Sequence, residues 1–250
     1  MKKKIVIALA GLFCYLLFLL AQAPAARVLP WVTLPPGLLV SGVSGSLWHG
    51  QIEQLSWRNL VLNKLEWRIP LTSVLLADPV IELTLHDRYT LSGSAELGWQ
   101  GGPRVRDVAL KADADWLLSQ SPLPLPVTAS GSMQLTLAVA RLTLQGECQE
   151  LTGRLQWMPA EVTTPMGALQ VGQAQADLSC EKGALVAKLQ QTSQHFSLVG
   201  RGELDAKRNY RFEGKLTSGA DMPPAFAQNL NFVGQRDSQG AIRLNYAGRF

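Results

Sequence analysis

Apolar and polar residues alternate through most of this 250-residue chain, and that period of two commits the backbone to strands. Leu91, Gly93, Ala95, Leu97 and Trp99 alternate with Thr90, Ser92, Ser94, Glu96 and Gly98. Successive strand side chains point to opposite faces, so the pattern predicts a strand that is apolar on one side only. It returns at Phe196, Leu198, Gly200, Gly202 and Leu204, and again at Ile242, Leu244, Tyr246, Gly248 and Phe250. In Met133, Leu135, Leu137 and Val139 the apolar set is odd, but in Leu142 and Leu144 it is even. The strand must change faces near Ala140-Arg141, and a β-bulge is the simplest way to do so.

Two short helices are expected between strands. Asp113 or Asp115 caps a turn containing Trp116, Leu117 and Leu118, and Pro122, Pro124 and Pro126 then form an extended connector. Pro223 and Pro224 suit the first turn of a second helix through Ala225, Phe226, Ala227 and Leu230. The segments also repeat. Gly45-Ser46-Leu47 matches Gly131-Ser132-Met133, Leu65-Glu66-Trp67 matches Leu155-Gln156-Trp157, and Tyr89-Thr90-Leu91-Ser92-Gly93 matches Phe196-Ser197-Leu198-Val199-Gly200. The fold expected is mainly β: an elongated, mostly antiparallel, two-lobed curved sheet or sandwich, with an AsmA-like arrangement as one form of it.

The N-terminus supplies an address. Lys2, Lys3 and Lys4 precede the uncharged run Ile5 to Ala21, which reaches about 25 Å as a helix. Gln22 and Ala23 bring it close to the ~30 Å hydrocarbon thickness. The basic residues favour the cytoplasm. This predicts a cytoplasmic tail at 1–4, a transmembrane anchor at 5–23, a periplasmic β lobe at 24–121, a connector at 122–126 and a second lobe at 127–250. The competing reading is a cleaved signal peptide, since Ala23-Pro24-Ala25 resembles a small-residue cleavage site. The apolar run exceeds the usual ~7–15 residue signal core, so a retained anchor is expected.

Charge and cysteine usage agree with export. Three of the 23 Lys and Arg precede the run, so the remainder carries 20 against 19 Asp and Glu, a net of +1. No long basic stretch follows, which argues against nucleic-acid binding. Cys14 lies within the apolar run. Cys148 and Cys180 are left as a pair, expected to form a disulfide that closes a long loop and contributes roughly 3–4 kcal/mol.

Catalytic chemistry is missing from the pattern. His49, His86 and His195 stand in separate strands or strand ends without a partner at ligand or nucleophile spacing, so they are read as surface residues. There is no nucleophile elbow, phosphate-binding loop or HExxH helix. No enzymatic activity, no cofactor and no metal are expected. Trp57 and Trp67 share the parity of Leu55, Leu65 and Ile69 and are expected to fill the apolar face of a sheet. Trp31, shortly beyond the run, suits a membrane interface.

Several stretches resemble one known family. They are Val43-Ser44-Gly45-Ser46-Leu47-Trp48-His49-Gly50, then Leu65-Glu66-Trp67-Arg68-Ile69-Pro70, and the closing Arg243-Leu244-Asn245-Tyr246-Ala247-Gly248-Arg249. Together with the single anchor they resemble the type II secretion system protein N family, with Gly45, Ser46, Leu47, Trp48, Gly50, Trp67 and Pro70 carrying the motif. The resemblance implies a non-enzymatic, single-pass inner-membrane component with its C-terminal domain in the periplasm. Such a component would contact the inner-membrane platform or the secretin and would touch inner-membrane lipid. A periplasmic lipid-handling protein of AsmA type is the alternative. A third reading, after signal cleavage, is an outer-membrane barrel ending in the aromatic strand Ile242 to Phe250.

Overall fold

The computed structural model describes residues 7, 11–12, 15, 18–19, 21–31, 34–57, 60–87, 90–99, 101–120, 127–230 and 234–249. The tail 1–4, most of the run 5–23 with Cys14, the connector 122–126 and Phe250 lie outside the described residues. The described residues between 5 and 21 are helical. Among the described residues, no helix is long and apolar enough to cross a membrane.

The chain divides into two compact units, Met1–Asp87 and Arg88–Phe250. The first holds β1 (Leu38–Gly45), β2 (His49–Trp57), β3 (Leu60–Arg68) and β4 (Val80–His86). They pair antiparallel in chain order, with Gly45 opposite Gly50, Gly50 opposite Trp67, and Arg68 opposite Glu82. A short helix, Leu71–Leu75, joins β3 to β4. The alternation did not disclose this helix, because five residues are too few for a helical period to emerge.

The second unit holds β5 (Leu91–Trp99), β6 (Pro103–Asp113), β7 (Thr128–Leu142), β8 (Cys148–Thr164), β9 (Gly167–Glu181), β10 (Ala184–Thr192), β11 (Phe196–Leu204), β12 (Asn209–Ser218), β13 (Gln235–Arg236) and β14 (Ile242–Arg249). The order is that of the chain up to β12, followed by β14 and then β13. All of the pairings traced between these strands are antiparallel. The strand order runs from β1 at one edge to β13 at the other with no closing pair between them among the described residues, so the sheet is open where a barrel would be closed.

One face of the second sheet forms its core. Ala160, Val171 and Phe196 make one buried cluster; Leu230, Ile242 and Leu244 make another. Leu198, Leu216 and Met222 border both. Here the cover is the segment Met222 to Leu230, which contains the helix Pro224–Asn229, and no second sheet lies over it among the described residues. This departs from the sandwich alternative.

Both expected helices are present. Asp113 is the N-cap of Ala114–Ser119, its carboxylate accepting from the N–H groups of Asp115 and Trp116 at 3.0 and 3.2 Å. Pro224 opens the other, at a position where its missing N–H has no partner to lose. The irregularity expected in β7 near Ala140-Arg141 is present, with a register shift on either side of it. The register with β8 shifts between Leu137 and Val139 and again between Arg141 and Leu142, so Ala140 comes to pair with Leu151.

Candidate functional site

The motif residues converge at one end of the first sheet. β1 turns into β2 through Gly45-Ser46-Leu47-Trp48-His49, closed by the Ser46 N–H donating to the His49 carbonyl at 2.8 Å. The His49 N–H in turn donates to Ser46 Oγ at 3.2 Å. Gly50 follows, and a Cβ there would run into the Trp67 ring, which lies across it from β3. The Trp67 indole N–H donates to the Leu47 carbonyl at 3.1 Å, and the Ile69 N–H donates to the Trp48 carbonyl at 2.7 Å. Pro70 then ends β3 and serves as N-cap of the helix Leu71–Leu75. Residues that the sequence spreads from Gly45 to Pro70 thus close a single corner.

The corner also grips the chain that leads into it. The Leu47 N–H donates to the Ala23 carbonyl at 2.9 Å, Pro24 bridges antiparallel to Ser46, and Ala25 is 6 % exposed. One residue earlier, the Gln22 N–H still donates to the Phe18 carbonyl at 3.1 Å, a helical bond. The helical bond at Gln22 and the first contact with the corner at Ala23 thus fall on neighbouring residues, and the chain then passes through the helices Ala25–Val28 and Leu29–Trp31 before β1.

Beside the corner lies a hollow of about 150 Å³ lined by His49, Glu66, Trp67, Arg68, Glu82 and Thr84. His86 Nε2 stands 3.5 Å from Glu66 Oε1, so this histidine does have a carboxylate neighbour, one strand away. Pairing across β3 and β4 brings them together, which spacing along the chain does not reveal. Among the described residues no group of three or more His, Cys, Asp or Glu could hold a metal ion. His195 has a structural role, its Nδ1 accepting from the Gln170 N–H at 3.0 Å.

Trp57 departs from the expected core role. It is 45 % exposed, at the last residue of β2. Trp31 is exposed.

The second unit repeats part of the corner's device. The Trp157 indole N–H donates to the Ser130 carbonyl at 2.9 Å, beside Gly131-Ser132, as that of Trp67 does beside Gly45-Ser46. Gly45 and Gly131 both hold left-handed backbone, with φ of 92° and 101°. Farther along, Cys148 and Cys180 form a disulfide with Cα atoms 5.5 Å apart, joining the start of β8 to the end of β9.

Arg201 anchors the polar face of the second sheet. Its guanidinium donates to both oxygens of Glu181, at 3.1 and 2.7 Å, and to Glu203 Oε1, at 2.9 and 2.7 Å. Lys188 adds an ion pair to Glu181 at 3.1 Å. The bonds from Arg201, and then Lys188, pull the Glu181 carboxyl from an ordinary 4.5 to about 2. Here the charges neutralise one another within the sheet.

Comparison with known proteins adds a family to this geometry. A family model described as Type II secretion system (T2SS), protein N, matches residues 36–245. The type II secretion system protein N of Aeromonas hydrophila is 39 % identical, with the match covering 100 % of each chain. That of Pectobacterium carotovorum subsp. carotovorum is 36 % identical over 100 % of this chain and 98 % of its own. That of Klebsiella pneumoniae is 32 % identical with the same coverage. No solved structure matches the chain.

Proposed function

Because the chain belongs to the type II secretion system protein N family, we propose that it serves this machine from the inner membrane. It is a component of type II secretion and not an enzyme. In the proposed arrangement, residues 1–4 stay in the cytoplasm, 5–23 form a retained anchor, and the β lobes 24–121 and 127–250 stand in the periplasm. There they support export of folded proteins across the outer membrane by contacts with the platform or the secretin.

The observation that carries the anchored reading is the seating of Ala23, Pro24 and Ala25 in the corner. A signal peptidase acting at this small-residue stretch would remove part of a formed β structure. Retention keeps the Leu47 to Ala23 bond and the Pro24 to Ser46 bridge intact.

Two measurements test the reading. Deleting the gene should reduce release of a secreted hydrolase and leave it in the periplasm; undiminished release would overturn the secretion role. Intact-mass analysis of the membrane-extracted chain should find residues 1–23 still attached, whereas a mature start near Ala26 would overturn the anchor.

A second reading, lipid handling, draws on the apolar face of the second unit, where Leu198, Phe212 and Leu216 are only half-buried. Native mass spectrometry of the membrane-extracted chain separates the two readings: co-purifying lipid favours the second, and a lipid-free chain with bound secretion components favours the first.

A further inference from the structure

The β3–β4 connection presents leucines to solvent in an unusual concentration. Leu71, Val74, Leu75 and Leu76 are all exposed, with Leu75 at 85 % and Leu76 at 79 %. A soluble surface scatters such residues singly, and a run this dense forms a patch that needs an apolar partner.

The patch is held rigidly. Ser73, on the inward side of the helix Leu71–Leu75, donates from Oγ to the Pro70 carbonyl at 2.7 Å and accepts from the Val80 N–H at 3.3 Å. The Asp78 N–H donates to the Ser73 carbonyl at 3.0 Å, and the Ala77 N–H to that of Val74 at 3.1 Å. The loop's polar groups are thus spent on its own backbone, and its greasy groups are turned outward.

Position in the fold identifies the partner. Ile69, two residues before the patch, bonds to Trp48, and Trp48 adjoins Leu47, which bonds to Ala23 at the end of the uncharged N-terminal run. The exposed leucines therefore stand at the end of the first sheet where that run departs. Resting on the anchored reading above, we propose that the Leu71–Leu76 segment dips into the outer leaflet of the inner membrane as a second, monotopic contact. It buries its leucines at the headgroup and acyl boundary beside the anchor.

Environment-sensitive fluorophores on single cysteines test this in the full-length chain. Cys14 is replaced by serine and the Cys148–Cys180 pair is left oxidised. The chain is reconstituted in vesicles of phosphatidylethanolamine and phosphatidylglycerol containing acyl-chain spin-labelled lipid. Labels are placed by Gly11→Cys in the run, by Leu75→Cys or Leu71→Cys in the patch, and by Val61→Cys. Val61 lies seven residues back along β3 from Arg68, or about 23 Å away at ~3.3 Å per residue.

Blue-shifted emission and several-fold stronger quenching at Leu75 and Leu71 than at Val61, with Gly11 also quenched, is the expected result. A quenched Gly11 with water-exposed labels at both patch positions overturns the second contact and leaves the anchor standing. Equal quenching at the patch and Val61 overturns it as well, since the sheet would then be lying on the bilayer without preference. An unquenched Gly11 overturns the anchored reading, and the second contact with it.

Discussion

Replacing Gly50 by alanine would place a methyl group inside the Trp67 ring, so the ring must shift and strain the bond to Leu47. Overpacking of this kind costs about 1–3 kcal/mol. Trp67→Phe keeps an aromatic ring but removes the indole N–H, leaving the Leu47 carbonyl short of a partner at about 1 kcal/mol. In chemical denaturation both variants should lower the midpoint, Gly50→Ala more than Trp67→Phe. Gly131→Ala should cost at least about 1–2 kcal/mol from its left-handed backbone alone, before the collision of the new Cβ with the Pro159 carbonyl. Glu181 gives a pH signature. Its folded pKa of about 2 lies below its ordinary 4.5, so its stabilising effect is complete above 4.5 and is lost as pH falls toward 2. Glu181→Gln should flatten the acid limb of the stability curve in that window and leave the neutral plateau lower. An unchanged acid limb would show that Arg201 gains as much from Glu203 alone.

At the scale of elements, the alternation revealed strands and their apolar faces, and the helix starts at Asp113 and at Pro223-Pro224 were legible for the same local reason. The bulge in β7 was legible because parity changes along the strand, and the register shifts at Leu137/Val139 and Arg141/Leu142 flank Ala140. The irregularity in β6 was not anticipated, although Leu110 and Ala112 are even, Val105 is odd, and Asp107 between them has φ of 48° where the register slips. Contacts that close across strands, such as His86 with Glu66, stayed hidden because nothing along the chain encodes which strand pairs with which. The corner is an intermediate case. Its glycines and tryptophan were visible as a motif, but Trp67 packing over Gly50 required the register. The β8–β9 hairpin also carries the disulfide, whose sequence separation is 32. Reducing it should destabilise the second unit by about 4 kcal/mol, on loop-closure entropy. A thermal melt with and without reductant should show the loss, and Cys148→Ala/Cys180→Ala should be insensitive to reductant.

For the whole molecule, membership of the type II secretion system protein N family fixes the process. The two units differ in what they offer. Met1–Asp87 carries the motif and the patch at Leu71–Leu76, while Arg88–Phe250 carries the larger sheet, the disulfide and the ion-paired face. A chain in which Gly50→Ala loosens the corner should still assemble its second unit. If the corner matters for secretion, hydrolase release should fall with that variant while the chain's abundance in the membrane holds; equal release at equal abundance would assign the corner to stability alone.

The bond from Leu47 to Ala23 has a mechanical meaning. Most tethered domains hang from a string of unstructured residues and sample every tilt their linker allows. Here a helical bond at Gln22 and a bond at Ala23 to the turn between β1 and β2 fall on adjacent residues. For a retained anchor the first sheet then inherits the orientation of the helix. A rotation or tilt of that helix among its neighbours in the bilayer would be delivered to the sheet as a lever, with no slack to absorb it.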